Sequence, residues 1–228
     1  MITCEHASNA LPVVYRPWLK QHTHLFQSHR AYDPGALAMA QYLAHHLQAP
    51  LFAADYSRLL VDLNRSPNHP KVFSFLTQGL SLNEQQQILL NHYFPHRESI
   101  TQAIHKLHQK NARVLHLAIH SFTPILRGTK RRADIGLLYD PQCAWERNWC
   151  KQLKQALSAL NSAVVIRCNY PYLGTSNCLA TALRRLFTPK NYAGIEIEIN
   201  QKHVRQGGRH WQSYQHMLYH SILDTINN

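Results

Sequence analysis

The segment Arg113–Pro124, RVLHLAIHSFTP, constrains the fold more than any other stretch of the chain. Residues 114–119 form a nearly continuous apolar run, which is typical of a strand inside a largely parallel sheet covered on both faces. His120 and Ser121 follow the run, and Pro124 ends the ladder because it has no backbone N–H. Ligands of open α/β sheets bind outside the carboxyl ends of the strands. His120 is therefore a candidate metal ligand or base; the alternative is a histidine hydrogen-bonded within a turn.

Strand and helix patterns alternate along the rest of the chain. Strands are predicted near residues 2–4, 51–54, 135–139, 163–168 and 194–199, and helices at 36–47, 145–160, 179–187 and 211–226, with one long or two shorter helices over 85–110. Ser81, followed three residues later by Glu84, predicts a capping box at the start of the long helical region. The alternation predicts an α/β fold with a sheet covered on both faces. Without an internal repeat or a linker, we expect one domain over residues 1–228.

The composition limits the class of protein. Hydrophobic residues make up 45% of the 228 residues and charged residues only 16%, which indicates a globular chain. No apolar run approaches the roughly 20 residues that a membrane span needs. The N-terminal MITC reads as a strand without a charged-then-apolar leader, so no signal peptide is expected. The five cysteines contain no CxxC pair, which indicates reduced thiols and a cytoplasmic location.

The net charge of +12 raises the question of an anionic partner. A nucleic acid is one candidate, but the tightest basic cluster is only Lys130-Arg131-Arg132, and no helix-turn-helix, RNA-recognition or zinc-finger pattern is present. A basic surface that attracts a small anionic substrate explains the charge equally well. We expect such a substrate, and neither a nucleic acid nor a membrane as partner. The sequence does not indicate an oligomeric state.

Reactive side chains occur at two further strand ends. His6 follows the first predicted strand, and the YAGIEIEINQ strand places Glu196 and Glu198 on one face. Two buried carboxylates on one face are costly unless they are paired or used, whereas an exposed edge strand would carry them freely. Together with His120, these groups form the inventory of a metal-assisted hydrolase: imidazoles and a carboxylate hold Zn²⁺, and a separate glutamate moves the proton.

The segment SRLLVDLNRSP, residues 57–67, concentrates Arg58, Asp62, Asn64 and Arg65. An Arg–Asp pair here could be purely structural. The arginine that is not paired with Asp62 could instead bind a substrate carboxylate in a bidentate manner. The chain lacks the GxGxxG, Walker and GxSxG motifs, which argues against dinucleotide-dependent enzymes, P-loop enzymes and serine hydrolases of the α/β-hydrolase type.

Six segments, taken in order, resemble the N-formylglutamate amidohydrolase family in its broad sense. They are CEHASNALP (4–12), AYDPGA (31–36), SRLLVDLNRSP (57–67), IHSFTP (119–124), ADIGLLYD (133–140) and GIEIEINQ (194–201). The resemblance implies a phosphorylase/hydrolase-like fold related to the zinc carboxypeptidases: a single-domain three-layer α/β sandwich with a mostly parallel mixed sheet. It also implies hydrolysis of an amide C–N bond; the enzyme that gives the family its name converts N-formyl-L-glutamate and water to formate and L-glutamate.

The resemblance also implies roles for individual residues. His6 and His120 would be ligands of one Zn²⁺ ion, and Glu198 would be the general base or acid, with Glu196 as the alternative. Zinc carboxypeptidases have HxxE, whereas this chain has Asn9 in place of that glutamate. The first choice for the third ligand is Asp33, followed by Glu5 and Asn9.

The expected function is a zinc-dependent amidohydrolase that acts on a small carboxylate-bearing N-acyl amino acid, with N-formyl-L-glutamate as the leading candidate. The residues expected to contact the substrate are Arg58, Asn64, Arg65, Ser121 and Arg132. One alternative is a zinc-peptidase-like amidase acting on a peptide or a cell-wall fragment. The other is a non-catalytic binding protein whose basic surface receives anionic ligands or nucleic acid.

Overall fold

A six-stranded sheet forms the centre of the molecule. The computed structural model describes residues 1–110 and 112–227, apart from the side chains of residues 19 and 20. Two residues of the domain predicted over 1–228, residues 111 and 228, therefore lie outside the described residues. The strands are β1 (Ile2–Cys4), β2 (Leu51–Ala53), β3 (Val114–Phe122), β4 (Ile125–Leu126), β5 (Thr129–Lys130), β6 (Ile135–Leu138), β7 (Ile166–Cys168) and β8 (Tyr192–Asn200). The sheet order is β2-β1-β3-β8-β6-β7, and β4 and β5 form a separate antiparallel hairpin.

Helices cover both faces of this sheet. They are α1 (Arg16–Gln21), α2 (Thr23–Phe26), α3 (Ala36–His46), α4 (Leu82–Ile88), α5 (Phe94–His108), α6 (Ala144–Leu160), α7 (Leu179–Leu186), α8 (Gln201–Gln206) and α9 (Gly208–Asn227). Apolar side chains of α3, α6 and α9 join one core cluster with β8, and those of α5 and α7 join a second cluster. The predicted α/β fold with a doubly covered sheet is confirmed. No helix in the described part of the chain is long and apolar enough to cross a bilayer.

The central pair of strands is β3 and β8. They run parallel over nine residues, with His120 opposite Glu198. Every residue of β8 is buried, and Ile195, Ile197 and Ile199 lie in the core cluster, so Glu196 and Glu198 face the other side of the sheet. β6 pairs antiparallel with β8, and β7 runs parallel to β6, so the sheet is mixed but mostly parallel, as predicted. Because β8 lies between two other strands, the edge-strand explanation for its glutamates is wrong.

The long helical region runs without a break from α4 to α5, and one turn of it is π-helical. The capping box is present: Ser81 N donates to Glu84 Oε2 at 2.9 Å, and Glu84 N donates to Ser81 Oγ at 3.3 Å. A π-helical turn over Leu89–Tyr93 joins α4 to α5. Sequence periodicity did not predict the short helices α1, α2 and α8 or the β4–β5 hairpin, because elements of two to six residues contain too few positions to show a period.

Candidate active site

A cavity of about 180 Å³ lies at the carboxyl edge of the parallel strands. Its lining includes His6, two residues beyond β1, as well as His120 and Ser121 at the end of β3 and Glu196 and Glu198 of β8. The three predicted strand ends therefore meet in one place. This convergence follows from the parallel order β1-β3-β8, because the carboxyl ends of parallel neighbours share one edge of the sheet.

Two imidazoles and one carboxylate converge at the bottom of this cavity. Asp33 Oδ2 lies 3.3 Å from His6 Nδ1 and 3.0 Å from His120 Nδ1. All three side chains are buried, and one candidate ligand atom from each lies within 4.8 Å of the others. Two histidines and a carboxylate are a donor set typical of catalytic zinc sites. The described residues thus contain a cluster that could hold a metal ion.

A tight turn before α3 brings Asp33 to the histidines. Asp33 N donates to the carbonyl of His6 at 2.9 Å. Gly35 precedes α3 with φ of +81°, in the left-handed region that favours glycine, and a Cβ there would lie 2.5 Å from Val204 Cγ2. Two features therefore favour glycine at position 35: the left-handed backbone conformation and the close approach of α8.

Two further carboxylates lie behind the histidines. Asp62 Oδ1 is 2.8 Å from His6 Nε2, and Glu5 Oε2 is 3.1 Å from His120 Nε2. Burial alone would lower the pKa of His6 and of His120, but the surrounding carboxylates raise both. Conversely, burial would raise the pKa of Glu5, but contact with His120 holds it well below its usual range. The cluster is therefore tightly coupled electrostatically.

The two arginines of the SRLLVDLNRSP segment have different partners. An Nη2 of Arg58 donates to Asp33 Oδ1, and this pair leaves Asp33 Oδ2 facing the histidines. Arg65 Nη1 donates to the carbonyl of Asn177 at 2.8 Å, and its Nε lies 3.8 Å from Asp62 Oδ2. Arg58 thus sits against a carboxylate at the centre of the cavity, whereas the half-exposed Arg65 is less tightly paired.

The two glutamates of β8 have different surroundings. Glu196 Oε1 accepts a hydrogen bond from Asn64 Nδ2 at 3.2 Å, and Asn64 Oδ1 accepts one from Leu179 N at 2.8 Å. Glu198 Oε2 is buried without a hydrogen-bond partner among the described residues. Burial, reinforced by the charges of Asp33 and Glu196, raises the pKa of Glu198 to about 7. A carboxyl group that titrates near neutrality in a cavity is suited to accept and return a proton.

Comparison with known proteins identifies the family. The family model described as N-formylglutamate amidohydrolase matches residues 1–204. The chain belongs to the N-formylglutamate amidohydrolase family. The resemblance found in the sequence segments is therefore confirmed, and membership supports the assignment of the chain as a hydrolase.

Two solved structures resemble this family member over nearly its whole length. A gene product from Agrobacterium tumefaciens is 26% identical with a TM-score of 0.84, and the match covers 100% of this chain and 90% of that chain. The N-formylglutamate amidohydrolase from Ralstonia eutropha is 17% identical with a TM-score of 0.73, covering 99% of this chain and 93% of that chain, and this likeness shows a shared fold. A search of curated proteins gives no significant match.

One wall of the amidohydrolase cavity comes from a loop to which the sequence analysis gave no role. This wall contains Tyr172, Leu173, Ser176, Asn177 and Cys178. The loop crosses the sheet at Gly136, where a Cβ would lie 1.9 Å from the carbonyl oxygen of Tyr170. The turn-rich NYPYLGTSN composition shows a loop, but only the tertiary structure shows where it packs.

The predicted substrate residues of this family member are distributed unequally. Arg58, Asn64, Arg65 and Ser121 line the cavity, whereas Arg132 is exposed and does not. The adjacent Arg131 is buried instead, with its guanidinium carbon 5.7 Å from the centroid of the Phe122 ring. Ser121 Oγ already donates to the carbonyl of Pro34 at 2.7 Å, so its hydroxyl has a structural partner.

The alternative third ligands lie outside the Nδ1 cluster. Asn9 is exposed, and its Nδ2 donates to the carbonyl of Phe26 at 3.0 Å. Glu5 is fully buried but lies at the Nε2 side of His120. Among the three residues considered, the structure places only Asp33 between the two Nδ1 atoms.

Proposed function

We propose that this chain is a zinc-dependent hydrolase of the C–N amide bond in a small carboxylate-bearing N-acyl amino acid. N-formyl-L-glutamate is the leading candidate, giving formate and L-glutamate. The observation that carries the proposal is the convergence of His6 Nδ1, His120 Nδ1 and Asp33 Oδ2 in a cavity that also contains Glu198. Family membership supports the reaction class.

The residues of the cavity fit a divalent cation. The carboxylates around the two histidines are those of Glu5, Asp33, Asp62, Glu196 and Glu198, against the guanidinium groups of Arg58 and Arg65. These carboxylates favour a positive charge among them, which the raised pKa values of His6 and His120 also reflect. The unpartnered Oε2 of Glu198 points to a further missing polar partner. Both observations agree with the two-histidine, one-carboxylate donor set.

Glu198 supplies the proton transfers of the proposed reaction. A zinc ion held by His6, Asp33 and His120 would polarise the amide carbonyl and lower the pKa of water. Glu198 accepts the proton from the attacking water and delivers it to the amide nitrogen as the C–N bond breaks. With a pKa of about 7, the carboxyl group is suited to both directions of transfer at neutral pH. Glu196, held by Asn64, is the second candidate for this role.

Arg65 is the group best placed to bind the carboxylate of the substrate. Its Nη1 is anchored on the carbonyl of Asn177, and its side chain is 37% exposed. The guanidinium can therefore offer its remaining N–H groups to a carboxylate. The charge of Arg58 is already opposed by Asp33. A cavity of about 180 Å³ suits a small N-acyl amino acid better than a peptide or a cell-wall fragment.

A hydrolysis assay that measures the amino group released from each substrate tests the proposal. The protein is treated with a chelator, reloaded with Zn²⁺, and given N-formyl-L-glutamate, N-formyl-L-glutamine, N-acetyl-L-glutamate and a peptidyl substrate. We expect hydrolysis to require zinc and to favour N-formyl-L-glutamate over N-formyl-L-glutamine, which keeps the α-carboxylate but has a neutral side chain. Full activity in the chelated protein, or no hydrolysis of any substrate by zinc-loaded protein, would overturn the proposal.

The alternatives predict different results. A non-catalytic binding protein would retain anionic ligands without turnover, and a nucleic-acid-binding protein would show an affinity that falls steeply with salt. A peptidase-like enzyme would prefer the peptidyl substrate. We also propose a cytoplasmic location, supported by five cysteines that are all free thiols in the structure.

A further inference from the structure

We propose that Glu5 and Asp62 are positioning residues that direct the Nδ1 atoms of both histidines at one metal ion. The inference rests on the proposed function, because it concerns the same cluster. Glu5 directly precedes His6 in the chain, yet it contacts the histidine of the neighbouring strand, His120. Each histidine therefore has its own carboxylate behind it and shares Asp33 in front.

The geometry around His6 assigns its two nitrogens to different tasks. Nε2 lies 2.8 Å from Asp62 Oδ1, and Nδ1 lies 3.3 Å from Asp33 Oδ2. Asp62 is itself held in place, because its Oδ1 also accepts a hydrogen bond from Asn64 N at 3.0 Å. A neutral imidazole has one N–H and one lone pair. With the N–H donated by Nε2 to Asp62, the lone pair of Nδ1 is left for the metal.

The same arrangement recurs at His120 in a more buried setting. Nε2 lies 3.1 Å from Glu5 Oε2, and Nδ1 lies 3.0 Å from Asp33 Oδ2. Glu5 is fully buried, and neither of its oxygens makes a well-directed hydrogen bond within the described residues. A carboxylate in that setting is costly unless it has a partner. His120 Nε2, 3.1 Å from Glu5 Oε2, can provide one when it carries a proton.

Asn64 offers a competing partner for the same nitrogen. Its Nδ2 lies 3.4 Å from His120 Nε2 but 3.2 Å from Glu196 Oε1, which is the stronger acceptor. A lone pair on Nε2 would also face the Glu5 carboxylate at 3.1 Å and be repelled by it. We therefore infer that Asn64 donates to Glu196 and that Nε2 of His120 carries the proton.

Carboxylates behind metal-binding histidines fix the tautomer and the ring orientation, and they raise the basicity of the ligating nitrogen. In this chain a carboxylate lies behind each histidine. Glu5, directly after β1, lies behind His120, and Asp62, in the 57–67 loop, lies behind His6. The site thus comprises three ligands and two positioning carboxylates, which together form a five-residue unit. Loss of either carboxylate should weaken metal binding even though the ligands remain.

The first test uses the wild-type protein with ¹⁵N-labelled histidine, examined by NMR with and without Zn²⁺. Two of the histidines should become ligated through Nδ1 while their Nε2 atoms stay protonated. Ligation through Nε2, or an unprotonated Nε2 in either histidine, would overturn the inference. If no histidine responds to zinc at all, the proposed function itself fails, so the two failures are distinguishable.

The second test measures Zn²⁺ affinity by competition with a chelator. Glu5→Gln and Asp62→Asn should each weaken affinity about 10- to 100-fold. Glu146→Gln is the control: Glu146 is as buried as Glu5 and pairs with Arg184 at 2.8 Å outside the cavity, so its loss should reduce stability without changing zinc affinity. Affinities within about threefold of wild type in both test variants would contradict the inference. If Glu5→Gln does not fold, Asp62→Asn and the NMR experiment decide.

Discussion

Replacing Glu198 with glutamine should stabilise the metal-free protein, by an amount that grows with pH. Glu198 is buried, and its Oε2 has no hydrogen-bond partner among the described residues. Burial, with the charges of Asp33 and Glu196, raises its pKa from 4.5 to about 7. The folded protein therefore resists ionisation of this group more strongly than the unfolded chain does.

The sign and size of the effect follow from proton linkage. Between pH 4.5 and about 7 the folded protein holds the Glu198 proton while the unfolded chain has lost it, so stability falls as pH rises. A shift from 4.5 to about 7 corresponds to about 3 kcal/mol, at about 1.36 kcal/mol per pKa unit. Glutamine does not titrate. Between low pH and about pH 8, the free energy of unfolding of Glu198→Gln should therefore rise by about 3 kcal/mol relative to that of the wild type.

The assay is urea unfolding of both proteins in the presence of a chelator, repeated across this pH range. Any constant cost of the amide cancels, because only the change with pH is compared. Glu196→Gln makes the same exchange two residues away on the same face of β8, and it should show a smaller gain because it removes only one of the causes that raise the pKa of Glu198. A difference between wild type and Glu198→Gln that does not change with pH would refute the reasoning. The zinc-loaded variant should retain metal but lose about 10²- to 10⁴-fold in turnover.

Further predictions concern the arginines, the loop wall and the helix cap. Arg65→Ala should raise KM for N-formyl-L-glutamate about 10- to 100-fold with little change in kcat, whereas Arg132→Ala should leave steady-state kinetics unchanged; equal effects would contradict the assignment of Arg65. Gly136→Ala should displace the loop over Tyr170, which lowers both the urea midpoint and kcat/KM, and unaltered kinetics would argue against that contact. Ser81→Ala should lower the free energy of unfolding by about 1 kcal/mol and leave activity intact, since neither Ser81 nor Glu84 lines the cavity.

The strands of the six-stranded sheet could be predicted from the sequence because their patterns are local. The apolar run before His120 and the alternation around Glu196 and Glu198 are visible in single segments, and the structure has strands at both. The parallel order of β1, β3 and β8, which brings His6 to His120, is a long-range property. Only the ordered resemblance to a family allowed that convergence to be anticipated.

The partners of individual polar side chains could not be predicted in the same way. Adjacent residues can have separate roles: Glu5 contacts His120 on another strand, while the neighbouring His6 contacts Asp62, 56 residues further on. Likewise, Arg131 is buried beside the loop wall and Arg132 is exposed, although both belong to one basic cluster. Such choices depend on side-chain direction and packing, which spacing alone does not encode.

The identity of the third ligand illustrates both limits. The sequence left Asp33, Glu5 and Asn9 as alternatives, because each lies in a segment that resembles the family. The turn at Gly35 places Asp33 between the two Nδ1 atoms, and the other two lie elsewhere. Geometry therefore supports Asp33 as the third ligand, a role that remains a prediction.

Anomalous X-ray diffraction at the zinc edge, on crystals of the zinc-loaded protein, tests the central proposal most directly. We predict one strong peak in contact with Nδ1 of His6, Nδ1 of His120 and Oδ2 of Asp33, with Asp62 and Glu5 still on the two Nε2 atoms. A zinc-loaded crystal with no peak at this position, or with the ion bound through the Nε2 atoms, would contradict the account.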